Sequence, residues 1–349
     1  VNAVQAPPAP AAPTARGRTA ALRSVGLLVG IGLVLLAVLV SVAVGSKPIP
    51  LGVVWDALFH FDDSYDANLV WDQRMPRTLL GLGVGLALGV AGALMQAMTR
   101  NPLADPGLLG VNAGSSAAVV IAVSAFGLTS LAQYVWFALA GAAVASVVVY
   151  LLGSAGRGGA TPVRLALAGT VISAVLTGVI TAFTTMDAKS WQLMRFWTIG
   201  SLVNRGYDVL WQVLPFLVVG AVIGVAVTGS LNALSLGDQV GLALGAHVTR
   251  TRVLTALAIV LLCGGATAAA GPIGFVGLAV PHAVRAVVGP DYRWVVPYSM
   301  VAAPLLLIGA DVLGRIVLPT GELEAGVVTA VLGAPLFIHL VRRKRLAKL

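Results

Sequence analysis

The chain has few groups that could do chemistry, and they sit in short clusters. W-D-Q-R-M-P-R, residues 71–77, sets Arg74 and Arg77 on either side of Pro76, a residue suited to the first turn of a helix. Two readings stand for this pair. The arginines anchor a helix end at a membrane surface, with their charged heads snorkelling to water. Alternatively they form a basic socket for the carboxylates of an external partner, which the planar guanidinium fork fits. Asp311 and Arg315 are four apart, so they share a helix face and can pair. A self-neutralising structural pair and a functional one are equally open. Q-A-M-T-R-N-P-L-A-D-P-G-L-L-G, residues 96–110, turns through two prolines. L-N-A-L-S-L-G-D-Q-V-G-L-A-L-G-A-H-V-T-R-T-R, residues 231–252, reads as short amphipathic helices that rest in an interface or dock on a soluble partner. From Gly271 the chain runs G-P-I-G-F-V-G-L-A-V-P-H-A-V-R, and from Glu322 it runs E-L-E-A-G-V-V-T-A-V-L-G-A-P-L-F. A lipid-embedded helix needs no such punctuation.

Other chemistries find no residues. No G-x-x-x-x-G-K-[ST] occurs, so nucleotide is not bound by that route. Neither H-E-x-x-H nor G-x-S-x-G is present, and His60, His247, His282 and His339 are too scattered for a metal set. The single cysteine, Cys263, lies in an apolar run and reads as a small buried hydrophobe. No enzyme, resident metal or cofactor is expected.

The elements that must position these clusters follow from composition. Of 349 residues, 58% are hydrophobic and 10% charged, where a soluble domain carries about 25% charged. Continuous apolar runs such as 27–44 approach the ~20 residues that cross a bilayer as helix, and they lack the alternation of barrel strands. The fold class is therefore all-α: a polytopic membrane protein of about ten spans, near 25–44, 79–97, 108–126, 131–152, 163–183, 209–228, 253–270, 273–288, 294–313 and 325–341. The third span starts in irregular backbone, which survives at membrane depth only when buried in protein or lining a cavity. Gly81, Gly85 and Gly89 recur every four residues, a spacing that lets two helix backbones approach closely. Residues 1–20 are Ala/Pro-rich and expected as a disordered tail; residues 21–345 form the membrane domain, and 346–349 a second tail. The first run is expected to be retained as a helix, not removed as a signal peptide.

Ten spans bring both termini to one side. Fifteen of the 22 Lys and Arg residues fall on that side, which makes both termini cytoplasmic. The formal charge of +9 thus reports topology, not nucleic-acid binding. Near absence of mid-span charge argues against an ion-coupled secondary transporter, the alternative reading.

N-P-L-A-D-P-G-L-L-G, L-S-L-G-D-Q-V-G-L-A-L-G, G-P-I-G-F-V-G-L-A-V-P-H-A-V-R and G-V-V-T-A-V-L-G-A-P-L-F, in that order, closely resemble the permease subunits of ABC importers for ferric siderophores, haem and cobalamin. The resemblance covers about residues 20–345. It implies a ten-helix subunit in the bacterial cell membrane, paired with a second copy or a related permease. It implies ATP-binding cassette ATPase subunits, which bind ATP-Mg, and an extracytoplasmic substrate-binding (lipo)protein. The cargo is an iron-siderophore complex, haem or cobalamin.

Residue by residue, the resemblance implies that Arg74, Arg77 and Arg315 meet acidic residues of the binding protein. It implies that Ser235, Leu236, Gly237, Asp238, Gln239, Leu244, Gly245 and His247 belong to the helices that sit in clefts of the ATPase. Thr161, Pro162 and Val163 correspond to the cytoplasmic gate. In E-L-E-A-G this chain has Ala325 where the family often has proline, so the last helix is expected to start differently.

Overall fold

The computed structural model describes residues 15–45, 47–60, 62–155, 162–186, 191, 194, 197–318 and 321–342. Among them every regular element is a helix. The first, α1, spans Ala15–Ala43 and so begins inside the stretch expected as a tail. After it come α2 (Leu51–Phe59), α3 (Tyr65–Asn68), a π turn (Leu69–Arg74) and α4 (Met75–Thr99). The chain continues through α5 (Val111–Phe126), α6 (Leu131–Ser154), α7 (Pro162–Met186) and α8 (Tyr207–Ala226). Two short helices, α9 (Thr228–Ser235) and α10 (Asp238–Ala243), precede α11 (Val248–Ala270), α12 (Val276–Val288), α13 (Tyr292–Val317) and α14 (Ala325–Arg342). Each of the ten expected apolar runs holds a helix, although the third and eighth begin in non-α backbone and turn α-helical at Val111 and Val276. Seven are long and apolar enough to cross a membrane, and α5, α12 and α14 supply shorter apolar stretches.

The centre of the bundle is α4. Its most apolar window is 78% buried, against 11% for α7 and 17% for α1, which lie at the periphery. The glycine spacing explains how neighbours come so close to α4. A Cβ on Gly85 would lie 2.7 Å from the Pro304 Cα, and one on Gly89 would lie 2.5 Å from the Ser299 carbonyl oxygen. Backbone of α13 therefore occupies the space that side chains would fill, as expected. Gly92 continues the row against α12, where a Cβ would fall 1.8 Å from the Gly277 oxygen.

α5 is short because it starts inside the bundle. Beyond Thr99 the chain reverses through Arg100 in the left-handed region, and Asp105 accepts from the Gly107 N–H to set a 3-10 turn over Pro106–Leu109. Pro106 Cδ is 3.3 Å from the Cβ position of Gly277, the residue that packs on Gly92. The chain has thus climbed back about two turns beside α4. This is the irregular third span expected from sequence, buried as such backbone must be.

The glycine at the end of α11 has a steric cause. Gly271 has φ +74°, and a Cβ there would lie 1.9 Å from the Trp197 oxygen. Finally, α1 is fastened to α13 near both ends. Tyr298 Oη donates to the Arg23 carbonyl at 2.6 Å, and Arg315 Nη1 donates to the Ser41 carbonyl at 2.7 Å.

Candidate functional site

Polar groups collect at the two ends of the bundle. One end gathers the C-termini of α1 and α13 with the start of α4. The other gathers the end of α4 with α9, α10 and the starts of α11 and α13.

At the first end, a helix terminus creates the demand. The last carbonyls of α1 have no intrahelical partner. Arg74, projecting from the π turn, donates Nη1 to the Val42 and Ala43 oxygens at 2.8 and 2.7 Å and Nη2 to the Lys47 oxygen. Arg315 takes the Ser41 oxygen from the other side. Cations at a helix C-terminus also complement its dipole.

Asp311 sits beneath as the hub. Arg77 Nη2 donates to its Oδ1 at 2.7 Å, while Arg77 Nε lies 3.1 Å from both oxygens. Arg315 donates Nε and Nη2 to Oδ2. Arg77 Nη1 reaches Glu322 Oε2 at 2.7 Å. Asp311 and Arg315 do pair, and Arg77 joins them as a third member. The side chains of Arg74, Arg77 and Arg315 are buried, whereas both sequence readings of Arg74 and Arg77 placed their heads at the outer surface. They are 6%, 9% and 4% exposed, because the chain itself supplies their acceptors. Glu322, which the sequence reading gave no role of its own, is the rim of this network, its side chain 26% exposed.

At the second end, Gly237 (φ +114°) separates α9 from α10 and puts Asp238 at the first turn of α10. Arg100, from the end of α4, and Arg252, from the first turns of α11, both donate to the Asp238 carboxylate, the latter at 2.9 Å. Burial would raise this carboxyl, but the Arg100 and Arg252 hydrogen bonds and charges outweigh it and hold it below its ordinary value. α9 is fixed in turn to α13. Asn232 donates to Asp291 and accepts from the Tyr292 N–H at 2.9 Å. Ser235 donates to the Asn232 carbonyl at 2.7 Å.

Outward from this clamp, Leu236, Val240, Leu242 and Leu244 are exposed, together with Gln239, Gly245 and His247. The sequence found the apolar face of this segment, but not the clamp. Arg100 and Arg252 lie 152 positions apart, and nothing in either local string points to Asp238.

Behind the clamp, Arg285 of the P-H-A-V-R string is buried. It donates to Tyr292 Oη at 2.9 Å and lies over that ring. Thr161 lies outside the described residues. Pro162 opens α7, and Val163 is exposed. Along the exposed side of α7, Thr170, Thr177, Thr181 and Thr185 return their hydroxyls to carbonyls of the preceding turn. Among the described residues no group of His, Cys, Asp and Glu could hold a metal.

These features define a multi-pass helical membrane protein with a charged network at one end and short exposed helices braced at the other. The chain belongs to the FecCD transport family, which it matches over residues 33–343. It is 47% identical over 327 residues to the ferric enterobactin transport system permease protein FepD of Escherichia coli K12, covering 93% of this chain and 96% of that one. It is 38% identical to the iron(3+)-hydroxamate import system permease protein FhuB of Bacillus subtilis 168, with 91% and 83% covered. It is 34% identical to the hemin transport system permease protein HmuU of Yersinia pestis, with 91% and 96% covered. In fold it is similar to a metal-chelate type ABC transporter solved in an inward-facing conformation, with TM-score 0.78, 24% identity, and 91% of this chain and 98% of that one covered.

Proposed function

We propose that this chain is the membrane-spanning permease subunit of an ATP-driven importer, and that its cargo is an iron-siderophore complex, with haem and cobalamin as the related alternatives. Hydrolysis of ATP-Mg belongs to separate ATPase subunits. The observation that carries this reading is the brace on α10. A short, apolar, solvent-exposed helix tied by Asp238 to α4 and α11 suits a soluble partner's cleft, and it transmits that partner's movement to the centre of the bundle. Energy enters through contacts that differ between partner states, because only differential interaction shifts a conformational equilibrium.

The orientation follows from the distribution of basic residues. The end bearing α9 and α10, and with it both termini, faces the cytoplasm. The opposite end receives a binding protein. There the ion pairs set Arg77 and Arg315 against Asp311 and Glu322, and Arg74 adds a guanidinium held on main-chain carbonyls. Arg77 is the proposed docking group: a partner carboxylate displaces Glu322 from its Nη1, while Arg74 and Arg315 hold the surrounding helix ends. Pairing with a second permease buries α7, whose exposed hydroxyl row fits a lined path better than lipid. Thr161, Pro162 and Val163 form the inner gate of that path.

The test is reconstitution with the ATPase and binding protein. Ligand-loaded binding protein is expected to stimulate ATP hydrolysis and to drive uptake. Accumulation of solute against a gradient by vesicles holding this chain alone would overturn the reading.

A further inference from the structure

We infer that α2 is an interfacial helix, whose Leu51–Trp55–Phe59 stripe lies in the outer boundary layer of the lipid bilayer and sets the depth of the π turn that carries Arg74.

The helix has three separate sectors. At about 100° per residue, Val54, Ala57 and Leu58 share one arc. Val54 and Ala57 are buried there in a small cluster with Val42, Ala43, Ile49, Ala67 and Val70, and Leu58 packs against it. The next arc holds Leu51, Trp55 and Phe59, exposed at 68%, 60% and 63%. Trp55 and Phe59 lie against each other with ring centroids 4.4 Å apart. The third arc holds Gly52 and Asp56, both exposed, with Val53 at its edge toward the buried arc; His60 follows the last helical turn. A surface helix in water needs one apolar face and one polar face. Here a second apolar face stands beside the one already buried, and the polar arc lies on its far side. Such a helix suits a boundary between protein, hydrocarbon and water.

The depth of α2 fixes which apolar partner is present. Its buried arc packs on Val42 and Ala43, the last turn of α1. The apolar run of α1 from Val25 to Ala43 rises about 28 Å, close to the ~30 Å of a hydrocarbon core. Most of that run's large side chains, from Val25 to Val40, are exposed, so its flank faces lipid. The end of α1, and α2 with it, is therefore level with the lipid–water boundary. Tryptophan concentrates at that level because its ring is largely apolar while its N–H seeks polar partners. Trp71 connects the helix to the network, donating its Nε1–H to the Ala57 carbonyl at 2.8 Å from within the π turn. Lipid contact on one side of α2 thus bears on the segment that ends in Arg74.

The experiment uses the full chain in lipid nanodiscs, first without and then with the binding protein. Cys263 is completely buried, so one added cysteine can be labelled alone. Trp55→Cys and Asp56→Cys are labelled with a nitroxide, and collision rates with oxygen and with a water-soluble nickel chelate are compared. The oxygen-to-nickel ratio is expected to be several-fold higher at position 55 than at 56, and to fall in detergent-free polymer without lipid. Phe59→Cys, on the same arc, must repeat the result and covers the case where the Trp55 variant does not fold. Equal ratios at 55 and 56 would overturn the inference. So would a label at 55 that is open to the nickel chelate until the binding protein is added, since that assigns the stripe to a protein partner.

Discussion

Arg77 and Asp311 are 234 residues apart in sequence and 2.7 Å apart in space. The contact joins the start of α4, the central helix, to the last turns of α13. It turns a carboxylate that would be costly to bury alone into the shared counterion of Arg77 and Arg315. Removing one partner from such a buried set leaves an uncompensated charge.

Asp311→Asn is therefore expected to destabilise the folded chain by about 3–5 kcal/mol. Thermal unfolding of the purified protein in detergent would register it as a lowered midpoint. Replacing Arg77, Asp311 and Arg315 together by apolar residues of similar size is expected to recover much of that loss, since the one charge left without its partner, Glu322, sits at the rim and can turn to water. Equal losses in the two variants would show that charge compensation is not what these residues supply.

Glu322→Gln should act in the opposite sense on docking. Glu322 engages Arg77 Nη1 at the rim, so neutralising it leaves a stronger positive site for an acidic partner. Association with the binding protein is expected to tighten several-fold at low salt, and the gain should shrink as salt screens it. Arg77→Glu should abolish association. Unchanged affinity in both variants would remove Arg77 from the docking surface.

Asp238→Asn removes the acceptor shared by Arg100 and Arg252. These are surface pairs, worth about 1 kcal/mol or less, so folding and ATPase assembly should survive. The expected change is in coupling: more ATP hydrolysed per ligand imported, measured in proteoliposomes. A folded-state pKa below the ordinary value means that this contribution is complete above the unfolded carboxyl pKa, about 3.9, and is lost as pH falls through the lower folded value. The coupling ratio of the wild type should therefore be flat between about pH 5 and 8. A titration in that window would point to a different group.

Gly92→Ala tests the packing row. Its Cβ would fall 1.8 Å from the Gly277 oxygen, which is main chain and cannot swing aside. A cost at or above ~3 kcal/mol is expected, read as loss of folded protein in size-exclusion chromatography. Gly32→Ala, on the exposed flank of α1 where nothing lies within 4 Å, serves as the control and should be silent.

How much of this was legible in the chain depends on the range of the interaction. The ten apolar runs were legible because a span is a local property of about twenty residues. So was the row Gly81–Gly85–Gly89, because a helix repeats its face every four residues, although its partner α13 was not. Asp311 with Arg315 was visible for the same reason. Arg77 as the third member was not, since nothing local links positions 77 and 311. Glu322 was read only as part of a string. The burial of Arg74 was missed because the demand comes from carbonyls at the end of α1, and a carbonyl leaves no mark in the sequence. At the other end, the exposed leucines of 231–252 were legible as amphipathic spacing. The clamp that aims them needed three dimensions.

The fastening of α1 has a consequence for biogenesis. Its terminal carbonyls emerge from the ribosome long before Arg315, 274 positions after Ser41, can reach them. Arg74 follows Val42 by only 32 positions and can cover two of those oxygens as soon as the second hydrophobic segment is inserted. The nascent chain thus carries an early cap for its first helix, and the late arrival of α13 completes a joint that was already protected.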